Sequence, residues 1–413
     1  MNGKERILAS VAHRQPDRVP VDLGSTPSSG ISAIAYNRLK KHLGVQQGRT
    51  RVYDVVQQLA EPEDWALDRF EIDAIDIGRA FNSNDEDWRP ATLPDGSEAD
   101  FPRWFSPSTQ PGERRDVLTA DGTRIASMPA GAAFFDQTCF PYIDGYPGDF
   151  RRLPEAMGKV SWAALAHSPW DRAGETGFWE KLREKALALH ENSERALMIV
   201  CGCNLFEWGT FLRRMDNFLM DLAAETAKVE ALLDALMEIH LNTLEKVCAA
   251  VGDIADIIRF GDDLGTNEGP FMAPSTYRKL FKPRHARLYD YVKRNSRMHT
   301  FLHSCGSIYA LIPDLIDAGL EIVNPVQASC RRMEPDCLKR EFGKDITFWG
   351  GGCDIRRVLS RGAPNEVKEH VKRRLAIFSP GGGFVFCAEH NILPDAPPEN
   401  IAALFEAVKE FHS

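Results

Sequence analysis

The chain has no run of about 18 consecutive apolar residues, the length a membrane-spanning helix needs, so a membrane span is not expected. It also lacks a basic excess. Lys and Arg number 50 against 59 Asp and Glu, a formal net charge of -9, and no block of like charges stands out. A nucleic-acid surface would call for a basic patch, so no nucleic-acid partner is expected. The opening Met1-Asn2-Gly3-Lys4-Glu5-Arg6-Ile7-Leu8 has no apolar core of the secretory kind. The nine cysteines are odd in number and form no disulfide-like framework. Reduced thiols in the cytoplasm are the expectation, most of them buried as small hydrophobes. No Gly-x-Gly-x-x-Gly follows the first strand, which argues against a dinucleotide fold. The run Gly381-Gly382-Gly383 lacks the Lys-Ser/Thr of a phosphate loop and reads as a turn into the last strand.

What is present is a pattern of short apolar strands alternating with helices. The chain has 413 residues, 43% hydrophobic and 26% charged, enough for a large core. After a first amphipathic helix (Ile7, Leu8, Val11), residues 18–23 read as a strand; residues 31–70 carry helical periodicity, and residues 72–77 form a short apolar strand. Residues 82–150 differ. They are rich in Pro, Gly, Asp and aromatics, and Asp121-Gly122 lies between short apolar runs, a hairpin signal. This stretch reads as an antiparallel β insertion within a single domain spanning 1–413, followed by an irregular link over 150–174. From residue 196 the alternation is regular, with strands at 197–200, 256–260, 299–302, 321–324, 346–349 and 383–386 separated by helices. Counting the two near the N-terminus gives about eight parallel strands, which favours a closed (β/α)₈ TIM barrel in the α/β class.

A barrel of this kind places chemistry at the C-terminal ends of its strands. Those ends read Gly261-Asp262-Asp263, His303-Ser304-Cys305-Gly306, Asn324 with Gln327, Gly350-Gly351-Gly352-Cys353-Asp354, and Cys387-Ala388-Glu389-His390. His303 and Cys305 are two apart, so on an extended segment they share a side, and imidazole nitrogen and thiolate sulfur are both zinc donors. A third donor is available at the last strand end as Cys387 or His390. The alternative is a hydrogen-bonded barrel histidine beside an inert thiol. Asp262, Asp263 and Glu207 are candidate catalytic groups, although the aspartate pair could instead cap the segment that follows it. Asn204, Asn324 and Gln327 are candidates for holding a cofactor. Cys201-Gly202-Cys203 looks like half of a metal knuckle without its partner half, and a strand-end glycine accounts for it. Phe206, Trp208 and Phe211 read as packing.

Several segments together resemble the uroporphyrinogen decarboxylase superfamily over nearly the whole chain. They are Arg18-Val19-Pro20-Val21, Asn204-Leu205-Phe206-Glu207-Trp208, Gly261-Asp262-Asp263-Leu264-Gly265-Thr266, His303-Ser304-Cys305-Gly306, Phe348-Trp349-Gly350-Gly351 and His390-Asn391-Ile392-Leu393-Pro394. The resemblance implies a (β/α)₈ barrel. True decarboxylases carry an arginine-rich N-terminal segment for propionate groups; this chain has Asp22-Leu23-Gly24-Ser25-Thr26-Pro27 there, with Asp73 and Asp76 as loose counterparts of the decarboxylase aspartate. The methylcobamide:coenzyme M methyltransferase-like, corrinoid-linked branch carries His-x-Cys and a later cysteine that bind zinc. His303 and Cys305 match the first part; His390 stands at the third position, with Cys387 three residues earlier. The resemblance therefore implies a zinc-dependent methyltransferase working between a corrinoid (cobalamin) protein and a thiol or folate-type small-molecule acceptor. The corrinoid would come from a partner protein. A metal-free tetrapyrrole or small-acid decarboxylase is the second expectation, and a barrel that binds a corrinoid or tetrapyrrole without turnover is the third. A homodimer is allowed, though the sequence does not fix oligomeric state.

Overall fold

The structure is a computed structural model that describes residues 1–412. Seven parallel strands form its centre. In chain order they are β1 (Ala74–Asp76), β2 (Ala196–Gly202), β3 (Ile257–Gly261), β4 (His299–His303), β5 (Ile322–Asn324), β6 (Thr347–Trp349) and β7 (Phe384–Val385). Each pairs with its sequential neighbour, so the spatial order equals the chain order. The gap between β7 and β1 is filled by residues around Val21. Val21 bridges Phe386 in parallel. Asp22 N–H donates to Phe386 O and Asp73 N–H donates to Val21 O, both at 2.8 Å. The expected first strand is thus only a few residues long, but it is the stave that closes the ring into a barrel.

Strand periodicity explains the interior. Alternate residues point inward, and one layer of inward side chains is Ala74, Met198, Ile257, Phe301, Ile322, Trp349 and Val385, joined by Ile7 and Val11 of the first helix, Gly3–Val11. That helix starts with a capping box between Asn2 and Glu5 and plugs the N-terminal mouth. Its Ser10 hydroxyl donates to Phe384 O, tying the plug to β7. Asp73 lies at the same end, held by Arg6 at 2.6 Å and Arg18 at 2.8 Å. Asp22 is buried, accepts from Trp349 Nε1 at 2.7 Å and anchors the closing stave. Neither aspartate lines the large cavity at the opposite mouth.

Helices cover the outside. The longest, Thr226–Val251, buries Val229, Leu232, Leu233 and Leu236, the i, i+3, i+4, i+7 stripe of an amphipathic helix. Each such fully buried aliphatic side chain contributes about 1.5–3 kcal/mol. The helix expected around Tyr277 to Lys293 is two, Pro274–Leu280 and Lys282–Asn295, because Pro283 has no N–H to continue the first. Residues 31–70 are not one helical stretch. A helix at Ala33–His42 gives way to antiparallel strands Val52–Asp54 and Leu59–Ala60, after Gly44 and Gly48 at positive φ end it and β-branched Val52, Val55 and Val56 follow.

The insertion is antiparallel, as its turn chemistry predicts. Trp88–Thr92 pairs with Glu98–Pro102, and a second sheet runs through Ser108–Thr109, Arg115–Leu118, Arg124–Met128 and Asp136–Gln137. Asp121-Gly122 is the turn between two of these strands, with Gly122 N–H donating to Thr119 O. The segment after it reaches the barrel mouth. Arg213 donates to the carbonyls of Tyr142 and Ile143, and Gln137 Nε2 donates to Phe211 O. Among the described residues no helix is long and apolar enough to cross a membrane.

Candidate functional site

The C-terminal mouth of the barrel holds a cavity of about 530 Å³. Its floor is built from strand ends that are register neighbours: Gly261 pairs with His303, and His303 with Asn324. His303 is the last residue of β4 and Cys305 follows two residues later, so the two side chains turn the same way. Cys305 Sγ lies 3.5 Å from His303 Nε2. His390, after β7, stacks edge-on to His303 with ring centroids 5.5 Å apart. One donor atom from each of His303, Cys305 and His390 lies within 4.8 Å of the others. Cys387 does not join them. It is buried in the inward layer with Trp349 and Val385. Strand alternation explains the choice: Cys387 continues the inward face of Val385, whereas His390 sits beyond the strand where the loop turns back over the mouth.

The tautomer of His303 is fixed by its neighbours. Asn324 Nδ2 donates to Trp349 O at 2.8 Å, so Asn324 Oδ1 must face His303. That oxygen is 2.7 Å from His303 Nδ1 and also accepts from Ser28 Oγ at 2.8 Å. Nδ1 therefore carries the hydrogen, and the lone pair of Nε2 points into the cavity. Burial, with the Arg259 charge second, lowers the His303 pKa to about 3, which keeps the ring neutral. Burial likewise lowers that of His390. The Cys305 thiol is held well above its usual value, first by burial and then by the Asp263 and Glu207 carboxylates. Two neutral imidazoles and one thiol suit zinc, whose positive charge would offset both effects on the sulfur. The donor set fits such an ion.

Asp263 belongs to the same floor. Its Oδ1 accepts from Cys305 N–H at 2.8 Å and lies 3.6 Å from His303 Nε2. Gln327 Oε1 accepts from Gly306 N–H, which pins the other side of the His-Ser-Cys-Gly loop. Gly306 has φ +85°, and a Cβ there would fall 2.4 Å from the Gly265 carbonyl carbon, so only glycine fits this close approach. Asn204 donates to Glu207, and both face the cavity. Burial, followed by the Asp263 and Asp262 charges, pushes the Glu207 carboxyl well up.

Asp262 departs from the sequence expectation of a catalytic group. It is fully buried and does not line the cavity. Its two oxygens accept from the backbone N–H groups of Phe206 at 3.0 Å and Glu207 at 2.8 Å, the first turn of helix Phe206–Arg213. His285 Nε2 is 3.2 Å away and its Nδ1 meets Tyr277 Oη. Asp262 therefore caps a helix that precedes it by more than fifty residues. Asn324 and Gln327 likewise hold other site residues and do not line the cavity themselves.

Other cavity residues escaped the sequence reading. Arg259 sits in the middle of β3 and lines the cavity. A guanidinium between Ile258 and Phe260 was the available signal. Trp162 and Trp170 come from the irregular link, which folds into short helices at Leu153–Met157 and Ser161–Ala164 and a 3₁₀ turn at Trp170–Arg172. Trp162 stacks on Phe211 at 6.2 Å, and Trp208 meets Phe211 edge-on at 5.8 Å. Trp208 and Phe211 thus form cavity wall as well as packing. Cys201 and Cys203 also line the cavity with their sulfurs 3.5 Å apart, and Gly202 between them has φ +75° at a bulge of β2.

The fold places the chain among known structures. It superposes on a methyltransferase from Methanosarcina mazei with a TM-score of 0.59 and 18% identity, over 100% of both chains. A B12-independent methionine synthase from a Shewanella species gives 0.40 and 11% identity over 83% of this chain and 84% of the other. A D-psicose 3-epimerase gives 0.34 and 10% identity over 63% and 91%. No curated protein sequence matches the chain. The profile of the uroporphyrinogen decarboxylase (URO-D) family matches residues 206–411, which include Glu207, Asp262, Asp263, His303, Cys305 and His390. Through that half of its length, the chain belongs to the uroporphyrinogen decarboxylase family.

Proposed function

We propose that the protein is a methyltransferase in which His303, Cys305 and His390 hold a zinc ion and a thiol accepts a methyl group from a corrinoid carried by a separate protein. The observation that carries this reading is the convergence of three donors whose orientation is set from behind, with Asn324 fixing the His303 lone pair toward the cavity. Structural similarity to a protein described as a methyltransferase supports it. Zinc bound here would supply positive charge that keeps a thiol ionised at neutral pH. The chain's own residues do the rest. Asp263 positions Cys305 through its backbone N–H and stands beside His303 as a further oxygen donor. Asn204 and Glu207 form the adjoining polar wall. In the transfer the S–CH₃ bond forms, the Co–CH₃ bond breaks, and its electron pair stays on cobalt.

The test is metal analysis combined with turnover. The purified chain is expected to carry zinc near one per chain, lost in His303→Ala and Cys305→Ser. With methylcobalamin and a panel of thiols, cob(I)alamin absorbance is expected to appear. A zinc-free protein that decarboxylates a porphyrinogen would overturn the reading. Corrinoid binding with no turnover for any thiol or folate acceptor would leave a binding barrel.

A further inference from the structure

Arg259 plays no part in that mechanism, yet it is the only Lys or Arg among the described residues that line the cavity. Its place follows from β3. Ile257 belongs to the inward layer, so two residues further on Arg259 points to the same side, one step closer to the mouth. Gly261, the next residue on that face, leaves room for it: a Cβ there would fall 3.1 Å from Arg259 Nη1 and 2.6 Å from Asn204 Nδ2.

The guanidinium has no complement of its own. Among the described residues no carboxylate lies within salt-bridge distance of it, and its buried Nε has no hydrogen-bond acceptor. Glu207 and Asp263 act on it only from further away, and both are engaged elsewhere, with Asn204 and with the Cys305 N–H. A sequestered guanidinium without acceptors is costly, and a planar carboxylate is its natural bidentate match. Trp162, Phe211 and Trp208 also line the cavity and pack against one another as an apolar wall. A volume of about 530 Å³ accommodates a small organic molecule.

We propose that Arg259 binds a carboxylate of the substrate, so that the cavity takes a carboxylic acid with an apolar body. This deepens the functional reading by naming the class of acceptor: a thiol that carries a carboxylate on such a body. It rests on this cavity being the substrate site and does not depend on the metal.

The experiment compares acids with their neutral amides on the full-length chain, both zinc-loaded and zinc-stripped. The pairs are benzoate and benzamide, 1-naphthoate and 1-naphthamide, and 3-phenylpropionate and its amide, followed by calorimetry and tryptophan fluorescence. At least one acid is expected to bind tenfold or more tightly than its amide in the zinc-stripped protein. Arg259→Gln should abolish that preference while amide binding persists, and Arg259→Lys should keep part of it. If Arg259→Gln fails to fold, the wild-type pairs and Arg259→Lys decide. No acid preference in any pair, including no binding of any acid, overturns the proposal. So does a preference that appears only with zinc and survives Arg259→Gln, since the carboxylate would then bind at the metal donors. An acid preference in the zinc-stripped chain that vanishes in Arg259→Gln upholds the proposal even if zinc loading fails, and that failure would count against the metal reading alone.

Discussion

Replacing Asp262 separates a structural aspartate from a chemical one. Its carboxylate accepts two hydrogen bonds from the first turn of helix Phe206–Arg213 and faces His285, at zero exposure. Hydrogen bonds to a buried charged group are worth about 1.5–3 kcal/mol each, and the negative charge also complements the positive end of the helix. Asp262→Ala removes both acceptors and leaves two buried N–H groups unpaired, so a loss of about 3–5 kcal/mol is expected. Asp262→Asn keeps one oxygen and turns an NH₂ toward the other donor, so about half of that loss is expected. The assay is urea unfolding followed by circular dichroism, with zinc content and turnover measured on the folded fraction. Under native conditions the folded Asn variant should keep its metal and most of its activity, because Asp262 does not face the cavity. A variant with an unchanged urea midpoint and abolished turnover would refute the capping argument and return Asp262 to the chemistry.

Further outcomes follow from the same geometry. His390→Ala should lose zinc while Cys387→Ser keeps it, as read by metal analysis. Asn324→Ala should weaken zinc about 10- to 100-fold in chelator competition, since an outer partner of a ligating histidine is removed without touching a donor. His240 is buried with its Nε2 2.8 Å from Asn204 O, and burial lowers its pKa from 6.5 to about 4. The unfolded chain takes up this proton below pH 6.5 and the folded chain does not until about 4. Stability should therefore fall as pH drops through that window, by about 2 kcal/mol at pH 5. Denaturant midpoints at pH 7 and pH 5 check this, and His240→Gln should shrink the difference by about that amount, the other buried histidines supplying the rest. Gly306→Ala should lower the unfolding midpoint, because the left-handed backbone alone costs about 1–2 kcal/mol before its Cβ meets Gly265.

The regular second half of the fold was legible in the sequence because each strand from residue 197 onward is a short apolar run between helices of helical period. The His303–Cys305 pair was legible for the same reason, since spacing of two at a strand end fixes a common side. The choice between Cys387 and His390 was not, because it depends on where β7 stops and the chain turns back over the mouth. For Asp262 the sequence left catalysis and capping open, and the helix it caps was not legible because its partners are backbone groups distant in sequence. Arg259 carries no periodic signal of its place in the cavity, because it stands inside an otherwise apolar strand. Residues 31–70 misled because Leu, Val and Ala at mixed spacing satisfy both periods, and only the glycines and the β-branched cluster near residue 52 mark the change. The tryptophans of the irregular link carry no periodic signal at all.

The short stave around Val21 has a consequence for assembly. Ring closure joins the stave around Val21 to Phe386, four residues before His390. A ribosome-bound chain therefore cannot bring its third imidazole beside the other two donors until His390 has emerged. Metal capture would follow barrel completion rather than guide it, and a chain cut before Phe386 would lose His390 and the seam together.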